Sequence, residues 1–433
     1  MRRLSNPLEV IISGVVAGVA NIDACAILSL LLIGSIYGFS LLWALVLGLL
    51  IYVVVLQLTS ELTLMTRRGL VENIKSNMRP RETSLIVLSS VAANLSLLSA
   101  EVSGIAIPLA SLFDLPLTVA IAASALLVFT TSSLKPCNLA DKVLMALCLV
   151  AFLAIVFKVP PNPQAVVAGL IAPGLSAEPE YWVGAMAMMG IAVGPNVILF
   201  EAGDLVEKRA GEESLMRALA SIVIGALFCL VICLAVMTYG AALPLAQEDL
   251  GAAVEVSIRT FGRAFTMVFL IGLLASSILS AIVTSQSTIA LLSEACGLRG
   301  ERRGLREWVA WSAAITIVST LPVLLVTNLI KIAFVAAIIN SVAAVPLLIY
   351  LVKLCTNPSL MGDVEIKGVM KVILQATVGV SAAINIGGVL LMVAKRPLLG
   401  YVTLPADVLI LAIAVPLAFA MRRLSFIKRG VVR

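Results

Sequence analysis

VANIDACAIL, residues 19–28, decides how this chain is read. Asp23 stands in an apolar run that reaches from Leu8 to Ile33, and no Lys or Arg falls within that run to pair with it. A charge near the centre of a bilayer costs roughly 2.5–3.5 kcal/mol on insertion scales, so residues that carry it generally face a cavity. Two readings of Asp23 stand: a cation ligand in the protein interior, or a carboxylate that only hydrogen-bonds a neighbouring helix.

The rest of the chain places that run in a membrane. Of 433 residues, 61% are hydrophobic and 12% charged, and the mean hydropathy is +1.12. Soluble domains carry about a quarter charged residues. A polytopic membrane protein with roughly a dozen spans of about 20 residues fits this length, and a soluble enzyme is excluded. The net charge of +6 does not indicate a nucleic-acid partner, because the basic residues fall in short loops between apolar runs. The cysteines at 25, 137, 148, 229, 233, 296 and 355 form no CxxC pair and read as small apolar packers. There is no histidine, hence no imidazole ligand or proton switch. Met1-Arg2-Arg3 leads into a full-length span with no small-residue cleavage site, so no cleavable leader is expected.

Breaks between apolar runs predict twelve spans, at about 8–34, 37–64, 83–112, 116–133, 140–158, 181–204, 216–239, 263–294, 306–327, 329–353, 370–394 and 404–421. With the N-terminus inside, 24 of the 30 Lys and Arg residues fall on inner segments and 6 on outer ones. That asymmetry predicts cytoplasmic N- and C-termini.

Two further carboxylates stand at depth. Glu101 lies in AANLSLLSAEVSG, where Ser99 and Ser103 offer local partners, and Glu201 lies within reach of the inner water layer. Glu201 belongs to a second unusual stretch, GIAVGPNVILFEAGD, residues 190–204. Gly194-Pro195 removes a backbone donor and clashes with the preceding turn. The result is a proline kink or a fully broken span, whose freed carbonyls near Val193 and Gly194 then ligate a cation. One irregular span opens each half of the chain. The pairing suggests an inverted repeat of spans one to five (1–158) and six to ten (180–354), followed by spans eleven and twelve with a basic tail (370–433). LLASSILSAIVTSQST, 273–288, is a small-residue stripe and reads as helix packing before ligand contact. Gln57 and Asn340 are polar residues at depth, for which hydrogen bonds between helices are the first expectation.

These stretches resemble the Nramp divalent-metal transporters, which have the LeuT-type fold. NIDACA followed by IYGFSLLWALVLGLLIYVVVLQLTSEL is similar to the family's Ile-Asp-Pro-Gly-Asn and the Tyr-Gly-Tyr-Ser-Leu-Leu-Trp turn after it. Glu101 and Gly104 resemble the third-span Ala-Glu-Phe-Leu-Gly pattern, and VGPN resembles Met-Pro-His-Asn. AAIINSVAAVPLL resembles the tenth-span Gln-Ala-Leu-Asn-Gly segment, and NPSLMGD, 357–363, the loop Asn-Lys-x-Leu-Met-Gly-Glu. The resemblance implies an all-α fold of about twelve helices, a 5+5 inverted repeat plus two, that moves a divalent metal ion inward across a prokaryotic cell membrane. It implies metal binding by Asp23, by carbonyls at Ala20 and Val193, and by Gly194, Asn196 and Gln57. Glu101 and Glu201 would serve proton or cation passage, and Cys25 and Asn340 are further ligand candidates. The metal is then the substrate, with no cofactor and no enzymatic activity.

The departures are specific. Ala26 replaces the metal-binding asparagine, Gly194 the methionine, Asn196 and Glu201 two histidines, Leu98 an aspartate and Ala337 the tenth-span glutamine. Ala24-Cys25 replaces Pro-Gly. Oxygen ligands without a thioether suit hard ions such as Mg²⁺ or Mn²⁺, and a relative lacking the methionine that carries Mg²⁺ is similar here. The alternative from another ligand class is a LeuT-type carrier of a small organic solute such as an amino acid, bound at the helix N-terminus after Pro195. A membrane sensor is a third reading, weakened by the absence of any loop longer than about 25 residues.

Overall fold

The computed structural model describes residues 22–133, 138–171, 178–207, 215–243, 250–295, 305–326, 328–361, 375–376 and 378–387. Among these residues the regular structure is helical throughout. The helices are α1 (Ala24–Tyr37), α2 (Leu42–Thr66), α3 (Leu70–Asn77), α4 (Pro80–Phe113), α5 (Leu117–Ser133), α6 (Asn138–Lys158), α7 (Pro163–Ile171), α8 (Pro179–Ala192), α9 (Pro195–Glu207), α10 (Leu215–Ala241), α11 (Leu250–Phe261), α12 (Arg263–Ala295), α13 (Leu305–Leu325), α14 (Leu329–Cys355), α15 (Pro358–Met361) and α16 (Val378–Gly387). Seven of the described helices or near-continuous pairs are long and apolar enough to cross a membrane, eight if α6 and α7, bent by 105° at their junction, count as one span. This is an all-α polytopic membrane protein. Spans eleven and twelve lie for the most part outside the described residues.

α1 is apolar on every face and buried from Ala24 to Gly34, as expected of a helix at the centre of a bundle. It packs on α10, α14 and α4. Two glycines set its distance from α10. A Cβ at Gly34 would overlap the backbone carbonyl of Met237, and one at Gly240 would overlap that of Leu31. The contact is reciprocal and backbone to backbone, the close approach that small residues permit between membrane helices.

α4 runs for 34 residues, about 50 Å at helical rise, and so overruns a hydrocarbon core of about 30 Å. Pro80 opens it and the Glu82 carboxylate accepts from the Arg79 N–H at 2.9 Å, which fixes its start. α4 packs along α12 and α14, and these three helices form the long wall against which α1 sits. At the same end of the bundle the short helix α3 closes over α12. Lys75 donates to the terminal carbonyls of Glu294 and Ala295 there.

At the opposite end an aromatic group ties the α1–α2 turn to α8. The Trp43 indole donates to the Tyr181 hydroxyl at 2.8 Å, which donates to the Ser40 carbonyl at 3.0 Å. Tyr37, Tyr181, Trp182 and Trp43 meet edge to face. Amphipathic aromatics concentrate at such membrane–water boundaries.

Three short helices, α3, α7 and α11, were not expected from the apolar runs, since each is a brief amphipathic or capping piece within a predicted connection. The first span also differs from a plain continuous helix over 8–34. Its described helix begins only at Ala24, after an extended Asp23 (φ −92°, ψ 174°).

Replacing Gly34 by leucine should force α1 and α10 apart. Overpacking of this kind costs about 1–3 kcal/mol or more. A fall in melting temperature of the purified protein in detergent is expected, whereas Gly203→Ala, where an added Cβ meets nothing within 4 Å, should leave it unchanged or slightly raised.

Candidate metal site

The start of α1 lies inside the protein. Its first N–H groups have no intrahelical acceptors, and in a membrane interior neighbouring groups must supply them. Two carboxylates do. Asp23 Oδ1 accepts from the Ala26 N–H at 2.6 Å. Glu101, fully buried on α4, accepts from the Ala24 N–H through Oε2 at 3.3 Å and from the Ser280 hydroxyl through Oε1 at 3.0 Å. Ser276 donates to the Ile22 carbonyl. The segment from Ile22 to Ala26 is thus held from α4 and α12 by side chains, and both carboxylates lie at the positive end of the α1 dipole.

The second irregularity interrupts the helix within one apolar span, Pro179–Gly203. α8 ends at Ala192, Val193 is extended (φ −127°, ψ 104°), and α9 begins at Pro195. Asn340 of α14 donates to the freed Gly190 carbonyl at 2.7 Å. Its other amide atom, Oδ1, has no partner among the described residues and is buried. A Cβ at Gly194 would overlap Asn196 Oδ1, and would lie 2.5 Å from Asn340 Nδ2 and 2.9 Å from Asn340 Oδ1. Two amide head groups therefore fill the space that a side chain at 194 would occupy.

Both irregular centres are fastened to α14. Cys25 donates its thiol to the Ala333 carbonyl at 3.3 Å, and Asn340 holds Gly190. Residues 333 and 340 are two turns apart on one face, about 10 Å along the axis. Gln57 and Glu201 occupy a neighbouring polar patch where α2 meets α9. Gln57 donates to Glu61 at 2.9 Å, and Ser60 donates to Glu201 at 3.1 Å. Ala20 lies outside the described residues.

No group of three or more His, Cys, Asp or Glu side chains suited to a metal occurs among the described residues. A cation at this place would be held by Asp23 with backbone carbonyls and amide oxygens, a hard-ligand set. The sequence reading did not anticipate Ser276 and Ser280, which it assigned to the packing stripe. Ser277 does follow that reading, bonding Leu273 within its own helix. The signal for the others was the serine density itself, with no indication of which hydroxyls turn outward.

The architecture is a LeuT-type fold. It superposes on the Eremococcus coleocola manganese transporter with a TM-score of 0.76 and 15% identity, over 98% of this chain and 96% of that one. MhsT in complex with L-phenylalanine matches with a TM-score of 0.60 and 13% identity, over 90% of this chain and 99% of that one. Residues 14–391 match the Nramp family, described as natural resistance-associated macrophage protein-like, and the chain belongs to that family. The divalent metal cation transporter MntH of Mycobacterium tuberculosis is 30% identical over 292 residues, 62% of this chain and 66% of the relative. MntH of Acidiphilium cryptum is 26% identical over 296 residues, 64% of this chain and 67% of the relative. The chain thus spans just under two thirds of the Mycobacterium tuberculosis relative, and 41% of the Mycobacterium bovis one.

Glu101→Leu leaves the Ala24 N–H and the Ser280 hydroxyl unanswered in the interior, at about 1–3 kcal/mol for each buried unpaired group. Thermal unfolding of the purified variant should show a clear loss of stability. Glu101→Gln, which keeps an acceptor, should recover most of it.

Proposed function

We propose that this protein is a secondary transporter that carries a divalent metal cation across the membrane by alternating access. The single observation that carries the reading is the pair of interior irregularities, the helix start at Asp23 and the interruption at Val193-Gly194, both fastened to one face of α14. Such discontinuities place unpaired backbone dipoles at the membrane midplane, where coupling ions and substrates bind in this class of fold. The names of the MntH relatives support the substrate class.

In this reading Asp23 is the primary ligand. The carbonyls of Ala20 and Val193, the backbone at Gly194, and the side chains of Asn196 and Gln57 complete the shell, with Asn340 Oδ1 as a further oxygen. Glu101 and Glu201 stand on the paths of proton or cation passage. Cys25 contributes less, because its thiol is committed to Ala333. The set favours Mg²⁺ or Mn²⁺ over softer ions, since the side chain at 194 supplies no sulfur. The metal is cargo rather than cofactor. In this reading the chain divides into repeats at 1–158 and 180–354 with the segment 370–433 appended, and the distribution of Lys and Arg supports cytoplasmic termini in a prokaryotic cell membrane.

Reconstituted liposomes should take up Mg²⁺ or Mn²⁺ down an imposed gradient, and Asp23→Ala should reduce the rate at least tenfold while the protein stays folded. Full uptake by Asp23→Ala would overturn the assignment, and uptake of labelled amino acids with indifference to divalent ions would favour the organic-solute carrier. Gly194→Met, which displaces the two amides and adds a thioether, should lower Mg²⁺ uptake relative to that of Mn²⁺ or Cd²⁺.

A further inference from the structure

The α4–α12 seam contains polar atoms that the site described above does not use. Its register is fixed at two points. Glu101 meets Ser280 at 3.0 Å, and a Cβ at Gly104 would overlap the Ser277 hydroxyl. The helices are antiparallel there, so each step back on α4 is a step forward on α12. Seven residues from 101 reach Asn94, and seven residues from 280 reach Ser287, two turns in each case and therefore the same face. Thr284 lies between Ser280 and Ser287 on that face.

Asn94 has no accessible surface, yet neither Nδ2 nor Oδ1 has a partner among the described residues. The hydroxyls of Thr284, Ser287 and Ser90, one turn beyond Asn94, are likewise buried and without a partner among the described residues. Membrane helices usually satisfy such groups locally, and neighbouring residues of this chain do so. Ser99 and Ser103 bond carbonyls four residues back, as do Ser277 and Thr288, and Asn77 and Asn385 do the same through their amides. Asn94, Thr284 and Ser287 take no such local bond among the described residues, and the register set by Glu101–Ser280 and Gly104–Ser277 places them on the facing sides of α4 and α12.

A fully buried amide with both its donor and its acceptor unmet is among the least tolerated states in a protein interior. The occupant that answers it must accept from Nδ2 and donate to Oδ1, and must serve hydroxyls that do either. A metal cation cannot accept and an anion cannot donate. Water does both, and buried waters characteristically bind two to four such groups.

We propose that ordered water occupies the α4–α12 seam, bound by Asn94, Thr284 and Ser287, and that it continues through Ser280 to the carboxylate of Glu101. This is a water-binding site separate from the candidate cation site, and it does not depend on which ion the protein moves. Leu97 and Leu98, between Asn94 and Glu101 on α4, would then border water although they are 1% and 0% exposed.

Radiolytic hydroxyl-radical labelling with mass spectrometry tests this on the full-length protein in detergent, without added metal. Radicals form from bound water and label the side chains beside it. The expected result is labelling of Leu97 or Leu98 well above that of equally buried leucines such as Leu30 and Leu45, with at least a fivefold fall in Asn94→Leu. Thr284→Val, of nearly unchanged shape, should give a fall of the same kind and serves if Asn94→Leu does not fold. Labelling no higher than at Leu30 and Leu45, or unchanged in the folded variants, would overturn the proposal. Because no transport is measured, a failure of the cation-carrier reading leaves this result unaffected.

Discussion

The structure depends on a helix that begins in the interior of a membrane protein. The N–H groups that open α1 have no acceptors within the helix, and the chain answers them with the oxygens of Asp23 and Glu101. One carboxylate comes from the segment itself and the other from α4, so the α1 start is only complete when α4 is in place. Glu101 is oriented in turn by Ser280 of α12. A local backbone irregularity is thereby tied to the two longest helices of the bundle. The close approach of α4 at Gly104, where a Cβ would overlap Ala24, has the same origin. Glu101 reaches the Ala24 N–H only if the helices nearly touch.

The two breaks are answered differently. The α1 start is closed by ionisable groups. At the α8–α9 interruption the end of α8 is answered by a neutral amide, Asn340 on the Gly190 carbonyl, with Asn196 beside Gly194. A freed N–H calls for an acceptor and a freed C=O for a donor, so the chemistry of each cap follows from which helix end is exposed. Asn340 has one amide atom left over after this duty, and Asp23 has one carboxylate oxygen beyond the one on Ala26. The structural role and the proposed binding role therefore share side chains without competing for the same atoms.

Much of this was legible in the sequence. The apolar runs located the long helices, because the bilayer sets both their length and their composition. Gly194-Pro195 located the second break, because a proline lacks the N–H that a continuous helix needs. The first break was harder to read. Ala24-Cys25 has no helix-breaking chemistry, and the helix starts there because Asp23 caps it and Glu101 supports it from 77 residues away. That partner is a tertiary fact. The same holds for Asn340, whose attachment to Gly190 spans 150 residues, and for the choice between inward and outward hydroxyls along 273–288. Amphipathic pieces such as α3 and α11 escaped because a search for long apolar runs passes over them.

In the proposed reading Asp23 has two roles that act on each other. As a cap it stabilises the α1 start through Oδ1, and as a ligand it would share its charge with a cation. A divalent ion drawing on the carboxylate weakens its hold on the Ala26 N–H, and Glu101, on the Ala24 N–H, remains as the second support. In the proposed cycle the first turn of α1 is then free to adjust with ion binding while its attachment to α4 persists. A side chain that answers a helix end and a substrate with the same group makes the local geometry of that helix depend on occupancy. Such dependence is what alternating access requires of its binding site, because a ligand shifts a conformational equilibrium only by interacting differently with the two states.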